Sequence, residues 1–219
     1  MNIESFIKKL QGIKEMNQNT IQKYFDDLAK ILFNHMKICA GDDTYTFLEI
    51  EFYYHNKTEF DDIIYNCTYP RTRNAGQFFW HNSGVDVCFE SKEDEGYFGG
   101  ILIRSLMKNG KEVIAGPMRC ANELKNSCNE TISAPYLSDS SETTEKIFST
   151  IRYGVGDENQ TKDKAKLFCY YIDPGSWTRI RNNVLVIDTK NKKYKLLEKR
   201  IDSYNAQPTK RLFPPKEVE

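Results

Sequence analysis

A chain of 219 residues is long enough for one domain with a substantial core. Hydrophobic residues at 39% and aromatic residues at 13% exclude a disordered chain. Lys plus Arg and Asp plus Glu both number 31, so the chain lacks the overall basic excess of a protein held on nucleic acid by charge alone, while a local basic patch stays open.

From the N-terminus, residues 1–18 read as an amphipathic helix, with Phe6, Ile7, Leu10, Ile13 and Met16 near helical spacing. Asn19 or Thr20 caps a second helix whose apolar stripe is Ile21, Tyr24, Phe25, Leu28, Ile31 and Leu32. "GDD" at 41–43 turns the chain into the strand "FLEIEFYYH", 47–55. Strict alternation puts Phe47, Glu49, Glu51, Tyr53 and His55 on one face and Leu48, Ile50, Phe52 and Tyr54 on the other. The second face is a core face. The first is either solvated or the wall of a site, its side chains roughly 7 Å apart along the strand.

Residues 56–83 read as a long ordered loop with a short strand at 77–81. Strands follow at 85–90 and 97–106, joined by the charged turn "SKEDEG", and Asn109-Gly110 marks a hairpin. A short helix starts near Met118, and the Ser/Thr-rich stretch 132–146 reads as an exposed loop. Further strands are expected at 166–172 and at 184–188, the latter pairing with 194–197. Two helices followed by a mainly antiparallel, curled sheet is an α+β fold. The segments divide as a helical extension at 1–22, a central domain at 23–182, and a basic hairpin and tail at 183–219.

Six cysteines, Cys39, Cys67, Cys88, Cys120, Cys128 and Cys169, form no CxxC pair, so a zinc site is not expected and free thiols are. Four N-x-S/T sequons, at Asn56, Asn66, Asn129 and Asn159, read as chance matches. With no secretory signal and no apolar run near the roughly 20 residues that cross a bilayer, a soluble cytoplasmic chain without a membrane partner is expected.

If the Glu49–Glu51–Tyr53 face is partly buried, neighbouring carboxylates become useful for proton transfer, including water activation for attack on a sugar carbon. The segment Leu48-Glu49-Ile50-Glu51-Phe52-Tyr53 resembles the signature strand of the alkyladenine (3-methyladenine) DNA glycosylase family, an apolar residue followed by E-T-E-A-Y. Collinear segments extend the resemblance: "LAKILFNHM" to L-A-x-x-L-L-G, "TRNAG" to T-x-R-N-x-G, "GGILIRSL" to A-V-L-I-R-A-L, "GPMRCANEL" to G-P-G-K-L-x-x-A-L, "RYGVG" to R-I-G-V-G, and "KLFCYYIDPGSW" to L-R-F... N-P-x-V. Together they span roughly residues 24–178.

The resemblance implies a compact domain with a curved antiparallel sheet and a monofunctional N-glycosylase that needs no cofactor and no metal. It implies that Glu51 is the water-activating base, that Tyr53 stacks on an extruded base and that Arg104 lies near the pocket. An ion pair with Glu49 is the structural alternative for Arg104. The family's pocket histidine has no match: His55 comes too early, Tyr65 is the nearest later polar aromatic, and His81 offers an imidazole from the next strand or a structural one. Glu90 stands near the place of a family asparagine.

The family's duplex-opening hairpin is shortened to "QFFWHNSGVDV", which leaves Phe78, Phe79 and Trp80 as a wedge or as core. Lys192, Lys193 and Lys195 belong to a basic cluster that reads as a phosphate-facing hairpin or as a solvated edge strand. Three functions are therefore open, the first leading: release of a modified purine from DNA, the same chemistry on a single strand or free nucleotide, or a non-catalytic nucleobase-binding module.

Overall fold

The computed structural model describes residues 1–58, 70–128, 134–141, 146–150, 152, 167–172 and 216–218. Helix α1 (Ile3–Gln11) starts at Asn2, whose side chain accepts from the Ser5 N–H, and its Glu4 and Lys8/Lys9 complement the helix dipole. The helix is shorter than the apolar spacing suggests, because Gly12 ends it and Gly12–Glu15 continues as a 3₁₀ turn. Helix α2 (Ile21–His35) buries Ile21, Phe25, Leu28, Ile31 and Leu32, the stripe expected of it.

The strands are β1 (Met36–Ala40), β2 (Asp43–Asn56), β3 (Phe78–His81), β4 (Gly84–Cys88), β5 (Tyr97–Lys108) and β6 (Glu112–Ala115). Helix α3 (Pro117–Ser127) is followed by β7 (Tyr136–Asp139), β8 (Ile147–Thr150), β9 (Cys169–Ile172) and β10 (Lys216–Glu217). All pair antiparallel in one curled sheet of order β10-β8-β9-β2-β5-β4-β3, with β1 and β6 beside β2 and β5, and β7 beside β1. The fold is α+β, as expected.

Four strands, β1, β7, β8 and β10, were not anticipated. β1 follows α2 without a Gly or Pro breaker, and β7 lies inside the stretch read as an exposed loop, where it pairs with β1 and buries Leu137. The strands expected at 184–188 and 194–197 lie outside the described residues.

The core packs α2 against β2. Phe25 stacks on Phe52 at 4.4 Å between centroids and meets Phe168 edge-on at 4.9 Å. The expected extension at 1–22 contributes Phe6, Leu10 and Ile13 to this same core.

The β2–β5 ladder contains two irregularities that correct the alternation of the sequence. Phe47 pairs with Leu106 and Glu49 with Ser105, which leaves Leu48 as an extra residue on β2. Ile50 then pairs with Ile103, which leaves Arg104 as an extra residue on β5. The first bulge rotates Phe47 onto the core face with Ile50, Phe52 and Tyr54, away from Glu49. The second lets adjacent residues Arg104 and Ser105 both reach the opposite face.

Candidate functional site

That opposite face carries three cross-strand pairs in succession, Glu51 with Leu102, Tyr53 with Gly100, and His55 with Phe98. Glu51 is fully buried and Glu49 nearly so. The Tyr53 hydroxyl donates to Glu51 Oε2 at 2.8 Å, and Arg104 Nη1 donates to the same oxygen at 3.0 Å. Arg104 Nε stands 3.3 Å from Glu49 Oε1, while Ser105 Oγ donates to Glu49 Oε2 at 3.1 Å. Arg104 therefore serves both readings of the sequence at once, reaching the candidate base and pairing with Glu49.

Burial alone would lower the Arg104 pKa, but the Glu51 and Glu49 carboxylates more than offset it and hold the guanidinium well above its ordinary value. Burial, reinforced by the Glu51 charge, pushes the Tyr53 phenol well above its ordinary value. Tyr53 is thus a fixed donor to Glu51 and not itself a base.

Arg152, from the "RYGVG" segment, completes the wall. Its guanidinium carbon lies 4.8 Å from the Tyr53 ring centroid and 5.6 Å from that of Phe168, and Nη1 donates to the Phe52 carbonyl at 3.2 Å. The sequence matched this arginine to a family motif without giving it a role; only the β8–β9 return of the chain brings it to Tyr53.

A second buried charge cluster shares the face. Asp86 pairs with Leu102, which pairs with Glu51, so the two acids occupy one row, two strands apart. At about 4.8 Å per strand their Cα atoms are roughly 10 Å apart. Asp86 Oδ2 accepts from Arg71 Nε at 2.8 Å, and Oδ1 lies 3.0 Å from His81 Nε2. Since the Ser83 N–H donates to His81 Nδ1, the Nε2–H tautomer fits the pair. A Cβ at Gly100 would stand 2.8 Å from Asp86 Cβ and 3.0 Å from Oδ2, so the Asp86 side chain leans over Gly100. Nothing in the sequence links residues 71 and 86; only the folded segment before β3 brings Arg71 to the Asp86 of β4.

The expected site residues separate accordingly. Glu51, Tyr53 and Arg104 come together by direct hydrogen bonds. His81 lies on the same sheet face, but its side chain is only 6% exposed and both ring nitrogens face protein groups, which gives it a structural bond to Asp86. Glu90 Oε2 accepts from the Ala75 N–H and so supports the chain before β3. Trp80 is exposed, whereas Phe78 packs against the core. Tyr65, Lys192, Lys193 and Lys195 lie outside the described residues.

The His55 ring lies tilted against Phe98, 4.7 Å between centroids, and its buried Nδ1 has no hydrogen-bond partner among the described residues. Among the described residues no group of three or more His, Cys, Asp or Glu side chains is placed to hold a metal, and no helix is long and apolar enough to cross a membrane.

No protein-family model matches the chain. An uncharacterized protein of Acanthamoeba polyphaga mimivirus is 30% identical over 126 residues, covering 47% of this chain and 57% of that protein. The chain thus spans little more than half the length of this relative.

Proposed function

We propose that the chain hydrolyses an N-glycosidic bond and releases a modified purine base, with Glu51 activating water. The observation that carries this reading is a fully buried carboxylate bonded by Tyr53 and Arg104 beside a half-buried tyrosine ring. As the C1′–N bond breaks, the oxygen of a water molecule bonds C1′ and gives its proton to Glu51, whose charge offsets the oxocarbenium character of the sugar. The departing base keeps the bonding electrons and takes a proton from solvent. Arg104 and Tyr53 fix the carboxylate plane, and the Tyr53 ring supplies a stacking wall. The collinear resemblance to alkyladenine DNA glycosylases supports the same roles.

Zero formal net charge and the short segment before β4 favour a single strand or nucleotide over intact duplex as substrate. One observation favours a non-catalytic nucleobase-binding module instead: Arg104 ties Glu51 into an ion pair shared with Glu49. Base release separates the readings. Alkylated or deaminated duplex, single strands and nucleosides are incubated with the protein, and free base is detected chromatographically. Glu51→Gln is expected to lower release by on the order of 10²- to 10⁴-fold. Release that Glu51→Gln leaves unchanged rejects the mechanism, and base binding without any release selects the binding module.

A further inference from the structure

Glu49 borders the proposed base and has no part in the step assigned to it. Both acids lie on one guanidinium: Glu49 Oε1 is 3.3 Å from Arg104 Nε, and Glu51 Oε2 is 3.0 Å from Nη1. Both are buried. Glu49 is held by two further donors. Ser105 Oγ donates to Oε2 at 3.1 Å, and Cys169 Sγ, on the strand position across from Glu51, donates to Oε1 at 3.8 Å. The charged and titratable groups around Glu51 are therefore Glu49 and Tyr53 on β2, Arg104 on β5, Cys169 on β9, and Arg152, which lies against the Tyr53 ring. Farther off, His55 stands four residues along β2, and Asp86, two strands away, is met by Arg71 and His81. Among these groups Glu49 is the carboxylate that shares a counter-charge with Glu51.

We infer that Glu49 acts through Glu51 as a positioning residue: by dividing the Arg104 charge between two carboxylates, it makes Glu51 the stronger base. A carboxylate tied one-to-one to a guanidinium is a weak proton acceptor, because the ion pair favours its charged form. Two carboxylates on one guanidinium carry a net negative charge, and each then holds a proton more readily. Burial strengthens this coupling, since charges interact more strongly away from bulk water. Ser105 and Cys169 serve the same end, because hydrogen bonds donated to the Glu49 carboxylate favour its charged form. The ion pair that would otherwise silence Glu51 is thereby kept loose enough for proton transfer. The consequence for base release rests on the hydrolase reading; the proton affinity of Glu51 does not.

The test is carbon NMR of the full chain, labelled at the glutamate side-chain carboxyls and titrated downward from about pH 8. The Glu51 signal is the one lost in Glu51→Gln. In Glu49→Gln its midpoint is expected to fall by about one pH unit or more, a tenfold or greater loss of proton affinity. Glu49→Asp, which keeps the charge, is expected to retain most of the native midpoint. If Glu49→Gln does not fold, the native chain must show the coupling itself, with the Glu51 signal titrating in two steps, one of them in common with Glu49. Base release from alkylated single-stranded DNA is followed in parallel, and its acid limb is expected to move down with the Glu51 midpoint in Glu49→Gln. A midpoint that Glu49→Gln leaves unmoved or raises, an equal fall in Glu49→Asp, a single-step native titration, or no titration of native Glu51 before the chain unfolds overturns the inference. A lowered midpoint without base release from either protein leaves the inference standing and rejects the hydrolase reading. Release that requires Glu51, with an unmoved midpoint, does the reverse.

Discussion

Arg104 holds two buried carboxylates with one guanidinium, and its position as the extra residue of a bulge makes that reach possible. Arg104→Met leaves the buried Glu49 and Glu51 without this counter-charge. The expected cost is about 3–5 kcal/mol, read as a lowered urea midpoint with an unchanged slope. Arg104→Lys, a point charge without the guanidinium fork, is expected to recover only part of the loss. His55 gives a pH signature of its own. Burial depresses its pKa below the ordinary 6.5, so the unfolded chain takes up a proton at higher pH than the folded one. Stability is therefore flat above about pH 6.5, falls as pH drops through that value, and levels once pH is below the folded pKa. Urea midpoints at pH 7.5 and 5 should show this decline from His55 in the native chain and a smaller decline in His55→Phe. The sequence made Glu51, Tyr53 and Arg104 visible because their spacing matches a known motif. Arg71 and Asp86 were invisible because a lone Arg and a lone Asp carry no signal until the tertiary fold pairs them.

Among the elements, α2 was legible because its apolar stripe repeats at helical spacing over 15 residues, and β5 because it is a nearly continuous apolar run. β2 was legible as a strand and misread in phase. A bulge adds one residue without changing composition, so "FLEIEFYYH" alternates equally well with or without it, and only the ladder with β5 shows Phe47 turned toward the core. β1, β7 and β8 span four or five residues each, too short for a period to stand out from the helix and loop around them. The tight contact of β2 with β5 gives a prediction at this scale. A Cβ on Gly99 would lie 2.3 Å from the Tyr53 carbonyl oxygen and 2.9 Å from Tyr54 Cα, both backbone atoms that the ladder holds in place. Gly99→Ala is expected to cost about 3 kcal/mol or more by thermal unfolding. Gly110, at φ +66 with nothing within 4 Å of its would-be Cβ, should cost about 1 kcal/mol on substitution by Ala, from backbone strain alone. Equal losses at the two positions would show that β2 can shift away from β5, and the fixed spacing of Tyr53 over Gly100 would go with it.

For the whole molecule the decisive quantity is charge. Formal net charge is zero, so any grip on a polynucleotide must come from a local patch. On the described part of the site face the cations are already engaged: Arg104 with Glu49 and Glu51, Arg71 with Asp86, and Arg152 against Tyr53. Arg73 is exposed, with its guanidinium 5.9 Å from the Phe79 ring centroid. Few phosphates can then be neutralised by this face, and each one contributes roughly 0.7 to the slope of log K against log salt on a single strand. Binding of a labelled single-stranded oligonucleotide between 50 and 200 mM salt is expected to give a slope shallower than about −2, corresponding to three phosphates or fewer. Fluorescence anisotropy measures it. A slope of about −4 or steeper demands several more cations than this face provides, and the cluster containing Lys192, Lys193 and Lys195 is the largest group of them in the sequence. Charge reversal at those three lysines would then flatten the slope, and the basic segment would be a phosphate-facing hairpin. A shallow slope that the reversal leaves unchanged makes it a solvated edge and leaves base contacts, such as stacking on Tyr53, as the source of affinity.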